Sequence, residues 1–267
     1  KLDTGKLIAF DQDQDAKRNA EPLKGKNFIL AEANFRHLKQ YLRLHGIKQV
    51  DGILADLGIS SYQIDTAERG FAIRFEAELD MRMNQAQEMS AKTLLNEYDE
   101  EAIANVLWKY GELRNSRPIA RAIVQYRVNN ALNTTGDLVK IVSKFSQRNK
   151  EMQFLAKVFQ ALRIEVNDEM GALNDMLEQS LDVLKPGGRL VVMSYHSLED
   201  RPVKNFIKSG NFKGEIEKDF YGNQLTPFKM ITRRAVVAQS EEVANNPRAR
   251  SAKLRVAEKK EVESTKD

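Results

Sequence analysis

The sequence predicts an α/β fold in which a parallel sheet with crossover helices is interrupted by an all-helical insertion. Short apolar runs alternate with amphipathic segments up to about residue 65, which is the pattern of βαβ units. No convincing strand pattern follows between residues 66 and 153, and the alternation then resumes. We therefore expect a sheet-containing core from residues 1–65 and 154–267, with residues 66–153 as a separate helical insertion.

The first part of the chain contains short apolar runs that are each followed by acidic or polar residues. The segment 35–45 is amphipathic, with Leu38 and Leu42 on one face, and Gly46 marks the end of a helix there. The predicted strands cover residues 6–10, 28–31 and 50–55, and the predicted helices cover residues 15–20 and 35–45.

The insertion is predicted to contain three helices with recognisable ends. Asp99 is typical of an N-cap, and apolar residues at helical spacing lead from there to a predicted stop at Gly111. Pro118 suits the first turn of a second helix. Thr135 is the expected cap of a third helix, whose apolar positions are again spaced by three and four residues.

The α/β pattern resumes with predicted helices at residues 155–166 and 173–184. Lys185-Pro186-Gly187-Gly188 predicts a sharp stop and turn. Beyond this turn the predicted elements are a buried strand, a helix and two antiparallel edge strands, at residues 190–193, 198–207, 230–238 and 252–257.

Composition excludes several classes of protein. The chain has 267 residues of which 42% are hydrophobic, enough for a core and too many for a disordered protein. No run approaches the roughly 18 apolar residues of a membrane span, so no membrane partner is expected. With no Cys and three scattered His, a thiol nucleophile is excluded and a metal site is not expected. We expect a cytoplasmic protein, and the net charge of +4 permits a nucleic-acid partner without requiring one.

Acidic residues follow two of the predicted strands, where open α/β sheets bind their ligands. Asp11 follows the first strand, and its carboxylate could accept both hydroxyl hydrogens of a ribose. The alternative is that this segment only starts the next helix, with Asp13 or Asp15 as its N-cap. Asp56 follows the third strand and precedes a Gly and two Ser, which indicates either a ligand site or a turn and helix cap.

The segment 194–200 follows the strand predicted at residues 190–193. Ser197 and Asp200 have the spacing of a capping box, with Asp in place of the usual Glu or Gln. His196 is expected to lie exposed at the carboxyl edge of the sheet, where it either contacts a substrate or serves a structural role.

Arg248 and Arg250 lie on a loop just before the last predicted strand. Two guanidinium groups on one loop suit contacts with phosphates. A solvated loop without a ligand is the alternative interpretation.

Together these motifs resemble the MraW (RsmH) family of S-adenosyl-L-methionine (AdoMet)-dependent methyltransferases. That family modifies N4 of a cytidine in the decoding region of 16S rRNA. The matching stretches run through nearly the whole chain in the family's order. The most specific are Glu68-Arg69-Gly70-Phe71, Leu79-Asp80-Met81-Arg82-Met83 and His196-Ser197-Leu198-Glu199-Asp200.

The resemblance implies a Rossmann-like methyltransferase sheet in which the insertion helps to recognise the substrate. It implies AdoMet as the cofactor and 16S rRNA in the small ribosomal subunit as the partner, without a metal, and it leaves a homodimer open. By motif, Asp11 is expected to hold the AdoMet ribose and Phe35 is expected to lie near the adenine. Asp56 is expected close to the methionine end and the reacting centre, and Gln63 is expected to close the pocket.

For catalysis, Asp56 is the first candidate to accept a proton from the cytosine N4 amine. His196 or Ser194 would assist or carry the proton away. The loop with Arg248 and Arg250 would supply a phosphate-binding rim for the RNA.

Two departures from the family pattern affect these expectations. A Gly-rich cofactor loop ending in Gly-Gly-His precedes the first strand in the family and is absent here, so we expect this chain alone to bind AdoMet weakly or not at all. In addition, Asp56-Leu57-Gly58-Ile59 stands where many amino-methyltransferases carry Asp/Asn-Pro-Pro-aromatic. The alternative function is a non-catalytic RNA-binding or ribosome-assembly protein on a methyltransferase scaffold.

Overall fold

The computed structural model describes residues 4–23, 25 and 27–261, and the chain divides into two compact units. Unit 1 consists of residues 1–32 and 59–169, and unit 2 consists of residues 33–58 and 170–267. The predicted fold class, a Rossmann-like α/β fold with a helical region, is confirmed. Residues 1–3 and 262–267 of the predicted core segments lie outside the described residues.

The strands and helices follow one another largely as the alternation of apolar and amphipathic segments indicates. In chain order they are β1 (Leu7–Phe10), α1 (Ala16–Ala20), β2 (Phe28–Ala31), α2 (Leu38–Leu44), β3 (Val50–Asp56), α3 (Ser61–Asp65), α4 (Ala91–Glu97), α5 (Glu100–Gly111), α6 (Ser116–Arg127), α7 (Thr135–Val142), α8 (Glu151–Asn167), α9 (Glu169–Val183), β4 (Leu184–Ser194), α10 (Ser197–Ser209), β5 (Phe228–Met230), β6 (Val236–Val237), α11 (Ser240–Asn245) and β7 (Lys253–Lys259). None of the helices in the described ranges is long and apolar enough to cross a membrane.

In unit 1, β1 and β2 form a parallel pair, with Leu7 opposite Phe28 and Phe10 opposite Ala31. Parallel strands need a crossover connection, which α1 and a 3-10 turn provide. Both strands coincide with their predictions. The pairing places Asp11 directly beyond the carboxyl end of β1, where its N–H donates to the Ala31 carbonyl at 3.2 Å.

The helices of unit 1 bury the apolar faces that the sequence pattern indicates. Helix α5 packs against α6 and α8, and Ile103, Leu107 and Leu162 have no exposed surface. Burial of each such side chain stabilises the fold by about 1.5–3 kcal/mol. Within the described residues of the segment 66–153, no strand occurs, as predicted.

The ends of these helices confirm the cap at Asp99 and the stop at Gly111, and they correct the cap of α7. Asp99 caps α5 by accepting a hydrogen bond from the Ala102 N–H. Helix α5 ends at Gly111, the predicted stop, and the left-handed residue that terminates it is the next one, Glu112, which has a φ of +52°. The cap of α7 is Thr134 and not Thr135, because only Thr134 stands three residues before Asp137 and completes a reciprocal capping box with it.

In unit 2 the strand order is β3-β4-β7-β5, and β6 also pairs with β7. Strands β3 and β4 are parallel, with Asp56 opposite Met193, and β7 runs antiparallel to its neighbours. The prediction that residues 252–257 form an edge strand is therefore wrong. Strand β7 is hydrogen-bonded on both sides, and its mixed polar pattern reflects only partial burial of its side chains.

The Pro-Gly-Gly segment is also placed differently from its prediction. It lies within β4, which begins at Leu184 directly after α9, and the segment bulges opposite Asp51. Gly188 fits there because a Cβ would lie 2.8 Å from the Lys185 carbonyl oxygen. The bulge absorbs the extra residues between the pair Val50–Leu184 and the pair Gly52–Arg189.

Candidate active site

The carboxylate of Asp11 stands at the start of the loop after β1 and is open to solvent. Its Oδ1 atom accepts the Asp13 N–H at 2.9 Å, which fixes the carboxylate. Oδ2 has no hydrogen-bond partner among the residues that the structure describes. Partial desolvation raises the pKa of Asp11, opposed by the hydrogen bond from Asp13 and by the charge of Arg69. The group can therefore accept a hydroxyl hydrogen from a ligand at its second oxygen.

Asp13, two residues further on, is the buried centre of this loop, with 7% of its surface exposed. Its Oδ1 atom accepts the Asp15 N–H at 3.0 Å. Its Oδ2 atom accepts hydrogen bonds from Gln63 at 2.6 Å and from Arg69 at 2.7 Å. The helix-cap interpretation does not account for this loop. Asp15 is the N-cap residue of α1 but makes no side-chain cap, and Asp13 binds side chains 50 and 56 residues away as well as the local backbone. We call Asp11, Asp13, Asp15, Gln63 and Arg69 the Asp13 cluster.

Gln63 lies on the first turn of α3 and is only 4% exposed. Its Oε1 atom accepts the Ser60 N–H at 2.9 Å in a capping box, and its Nε2 atom donates to Asp13. Both polar atoms of the Gln63 amide are therefore engaged in hydrogen bonds within the protein. The expected contact between Gln63 and AdoMet stays a prediction.

The sequence identifies Arg69 only as part of the Glu68-Arg69-Gly70-Phe71 motif and predicts no role for it. Its guanidinium is buried and pairs with Asp13 at 2.7 Å and Asp15 at 3.1 Å. It also donates to the carbonyl oxygens of Arg82 and Met83, at 2.8 and 3.2 Å. The next position, residue 70, requires glycine, because its φ is +69° and a Cβ there would lie 2.4 Å from the Glu78 carbonyl oxygen. Arg69 thereby ties the loop after β1 to the segment that carries the Leu79–Met83 motif.

In unit 2, Asp56 ends β3 and is exposed. The Tyr195 hydroxyl donates a hydrogen bond to its Oδ1 atom at 2.9 Å. Partial burial, together with the hydrogen bond and negative charge of Asp56, raises the pKa of Tyr195 to about 12. Tyr195 therefore stays a neutral donor at physiological pH and orients the carboxylate, whose Oδ2 atom has no partner among the described residues.

Gly58 gives the chain its turn away from this strand end. Its φ is +88°, and a Cβ would approach Tyr195 and Glu199 at 3.8 and 3.9 Å. The short Leu-Gly sequence after Asp56 therefore brings the backbone close to the residues that follow β4.

His196 is less exposed than its prediction, which is wrong on this point: 14% of its side chain is accessible. Its Nε2 atom lies 3.0 Å from Glu199 Oε1, but neither ring nitrogen has a partner of good hydrogen-bond geometry among the described residues. Glu199 is buried, and its Oε2 atom accepts the Tyr195 N–H at 2.8 Å. The start of α10 thus folds the imidazole inward against Glu199.

Ser194 is also buried, with 2% exposure, and its hydroxyl makes a long 3.5 Å hydrogen bond to the Lys253 carbonyl. The expected roles of His196 and Ser194 in proton transfer stay predictions.

The capping box predicted for Ser197 and Asp200 does not form. The residue before α10 makes no side-chain cap, and Asp200 instead pairs with Arg255 through two hydrogen bonds of 2.7 and 3.0 Å. Although burial opposes ionisation, Arg255 and the nearby lysines hold the pKa of Asp200 below its usual value. This pair joins α10 to β7 and supports the loop that contains Tyr195 and His196.

Phe35 is half-buried at the start of a 3-10 turn that leads into α2. Asn34 caps this turn by accepting the Arg36 N–H at 3.0 Å. The Arg36 side chain pairs with Asp175 of α9 at 2.7 Å. These contacts fix the backbone on both sides of Phe35, whose position near an adenine stays a prediction.

Arg248 and Arg250 lie in a 3-10 turn, Pro247–Ser251, between α11 and β7. Both side chains are exposed, while Ala249 between them is buried and anchors the turn. The Asn246 side chain caps the turn by accepting the Arg248 N–H. This placement leaves the phosphate-contact prediction open to test.

Comparison with known proteins identifies the family. The family model described as the MraW methylase family matches residues 1–260. A relative from Cytophaga hutchinsonii is 54% identical over 258 residues, which are 97% of this chain and 86% of the relative. Relatives from Bacteroides thetaiotaomicron (52% identity; 96% of this chain, 84% of the relative) and Flavobacterium johnsoniae (54%; 96% and 83%) are similar. All three carry the name ribosomal RNA small subunit methyltransferase H. The chain belongs to the MraW methylase family.

Proposed function

We propose that this protein is an AdoMet-dependent methyltransferase of small-subunit ribosomal RNA, and that its acceptor is N4 of a cytidine in the decoding region of 16S rRNA. Family membership and the shared name of the relatives support the rRNA methyltransferase activity. The hydrogen bond from Tyr195 to Asp56 is the structural observation that carries the chemical proposal.

The residues of the Asp13 cluster fit a ribose. Asp11 presents one carboxylate oxygen without a partner among the described residues, while the other oxygen accepts the Asp13 N–H and fixes the carboxylate. In this proposal Asp11 accepts the ribose hydroxyls and Phe35 contacts the adenine, while Gln63 holds the loop of Asp11 through Asp13. AdoMet, when bound, supplies an electrophilic methyl group on a sulfonium.

The acceptor chemistry requires a group that takes a proton from the amine. The lone pair of cytosine N4 is delocalised into the ring, so N4 is a poor nucleophile until a base draws on one of its hydrogens. Asp56 Oδ2 is suited to accept that hydrogen, because Oδ1 is already held by Tyr195 and the carboxylate is exposed. Positioning then supplies much of the rate, as in other bimolecular transfers on enzymes. His196 and Ser194 are the second candidates for removing the proton.

The target base must leave its stack to present N4. Unstacking is least costly in single-stranded or splayed RNA, which is where proteins commonly recognise RNA bases. The exposed Arg248 and Arg250 are proposed to contact the flanking phosphates, and the helical segment 66–153 to engage the substrate.

The direct test incubates the full-length protein with small ribosomal subunits and AdoMet labelled with tritium in its methyl group. We expect incorporation that ribonuclease removes, and a large loss of incorporation in Asp56→Asn. Subunit binding without methyl transfer would instead support the non-catalytic assembly function.

A further inference from the structure

The segment 213–227 of unit 2 presents two aromatic rings almost entirely to solvent. Phe220 is 97% exposed and Tyr221 is 86% exposed, the highest values among the exposed large apolar residues. Their rings make an edge-to-face pair with centroids 5.5 Å apart. Single exposed apolar residues are common, but two adjacent exposed aromatic rings on one turn favour contact with a partner.

The turn that carries these rings is closely specified by hydrogen bonds. Asp219 Oδ1 accepts the N–H groups of Tyr221 and Asn223 at 2.9 and 2.8 Å. Its Oδ2 atom accepts the Asn223 side chain at 2.9 Å, and Gly222 supplies the positive φ of +86°. The hydrogen bonds from Asn223 hold the pKa of Asp219 below its usual value. The rings are therefore displayed by a defined turn.

Both ends of the segment are anchored in the core of unit 2. Phe206 of α10 stacks on Phe212 at 5.2 Å and contacts Phe228 of β5 at 6.2 Å. Phe206 and Phe228 are buried, and Asn205 donates to the Phe212 carbonyl at 2.8 Å. The segment thus leaves and re-enters the core at neighbouring points, with the aromatic pair at its tip.

The surrounding charge favours a polyanion over an apolar partner. From residue 213 to 234 the chain carries five basic residues against three acidic ones, and one of the acids, Asp219, is engaged in the turn. The basic residues are exposed, and none forms an ion pair within the described part of the chain: Lys213, Lys218, Lys229, Arg233 and Arg234. Aromatic faces beside lysines suit unstacked bases with their phosphates.

We propose that the turn 219–223 is an RNA contact, in which Phe220 and Tyr221 stack on unpaired bases of small-subunit rRNA and Lys218 contacts a phosphate. This contact rests on the proposed function, because it names a second contact of the same rRNA substrate. It adds to the Arg248 and Arg250 loop and lies on a different segment of unit 2.

The test compares Phe220→Ala/Tyr221→Ala with the ring-retaining swap Phe220→Tyr/Tyr221→Phe in the full-length protein. We expect the alanine variant to bind small subunits at least about fivefold more weakly, since loss of base stacking costs that much or more per base. The swap should bind like the wild type. The KM for subunits should rise in the alanine variant, while kcat at saturation and the AdoMet affinity stay unchanged.

Photocrosslinking supplies an independent readout. Trypsin releases the turn as residues 219–229, between Lys218 and Lys229. Ultraviolet irradiation of the complex should attach a nucleotide to this peptide at Phe220 or Tyr221. Unchanged subunit affinity in the alanine variant, or a change only in its oligomeric state, would overturn the contact. Failure of the wild type to bind or methylate subunits would instead overturn the proposed function.

Discussion

Tyr195 donates its phenolic hydrogen to Asp56 across two parallel strand ends, at an Oη–Oδ1 distance of 2.9 Å. The neutral phenol and the charged carboxylate form a hydrogen bond of the stronger, charge-assisted kind. Because the pKa of Tyr195 is raised to about 12, this bond is intact throughout the neutral and mildly alkaline range.

The bond makes a prediction about stability at high pH. Tyr195 titrates near 10 when unfolded and near 12 when folded, so its contribution is complete below pH 10 and is lost as the pH rises towards 12. Denaturant unfolding of wild type and Tyr195→Phe between pH 8 and about 11.5 should show the wild type losing its advantage in this window. Parallel pH profiles for the two proteins would contradict the shifted pKa.

Asp56→Asn should reduce turnover much more than AdoMet affinity, because its proposed work is on the acceptor amine. The amide keeps the shape of the side chain and can still meet the Tyr195 hydroxyl, but it is a far weaker base. Single-turnover kinetics and calorimetry separate the two effects. If cofactor affinity collapses while the chemical step survives, Asp56 is a cofactor ligand only.

Asp11→Ala should weaken AdoMet binding by at least about tenfold, since a hydrogen bond to a charged group contributes about 1.5–3 kcal/mol. Calorimetry on the full-length protein measures this directly. Asp51→Ala is the matched control, because Asp51 is an exposed acid whose pairing is with the surface residue Lys185. Equal affinity in Asp11→Ala and wild type would remove Asp11 from the cofactor site.

Arg69→Met should destabilise the protein by about 3–5 kcal/mol, because it leaves the buried carboxylate of Asp13 without its charge partner. Arg74→Met is the control, since the pair of Arg74 with Asp65 is exposed and contributes about 0–1 kcal/mol. Denaturant melts of both variants test this contrast. Similar losses in the two variants would show that the Asp13 cluster does not hold the loop after β1.

Arg248→Gln/Arg250→Gln should weaken binding to small subunits and leave AdoMet binding intact. The slope of the logarithm of the binding constant against the logarithm of the salt concentration should become shallower by up to about two. The charge-matched control is Lys39→Gln/Lys185→Gln, which removes two solvent-accessible lysines that pair with Asp182 and Asp51. If the double arginine variant has the same salt slope as the control, the loop does not contact phosphates and is only a solvated loop.

Much of the fold was predictable because local patterns determine it. Strands β1 and β2 coincide with apolar runs, and the Asp99 cap follows from side-chain chemistry within three residues. The errors arise where the structure depends on pairing between strands that are far apart in the sequence. Strand β7 reads as an edge strand until its two partners are known, and the Pro-Gly-Gly turn becomes a bulge because β3 continues beside it.

The candidate site shows the same division. Asp11 and Asp56 could be found because each follows a recognisable strand. The buried pair of Asp13 and Arg69 could not be found in this way, because 56 residues separate the partners and no local pattern indicates their contact. The only available signal was the Arg-Gly-Phe motif. The inward position of His196 depends likewise on Glu199 and its buried environment, which spacing alone does not reveal.

The identity of the methylated atom tests the central claim most directly. Small subunits labelled by the full-length protein should be digested to nucleosides and analysed by mass spectrometry, with the modified position mapped on 16S rRNA. We expect the label in N4-methylcytidine at a single decoding-region cytidine, and its loss in Asp56→Asn. Label on a ring carbon or on another base would contradict the assignment of Asp56 as the acceptor of an N4 proton. Label outside the decoding region would contradict the proposed target site.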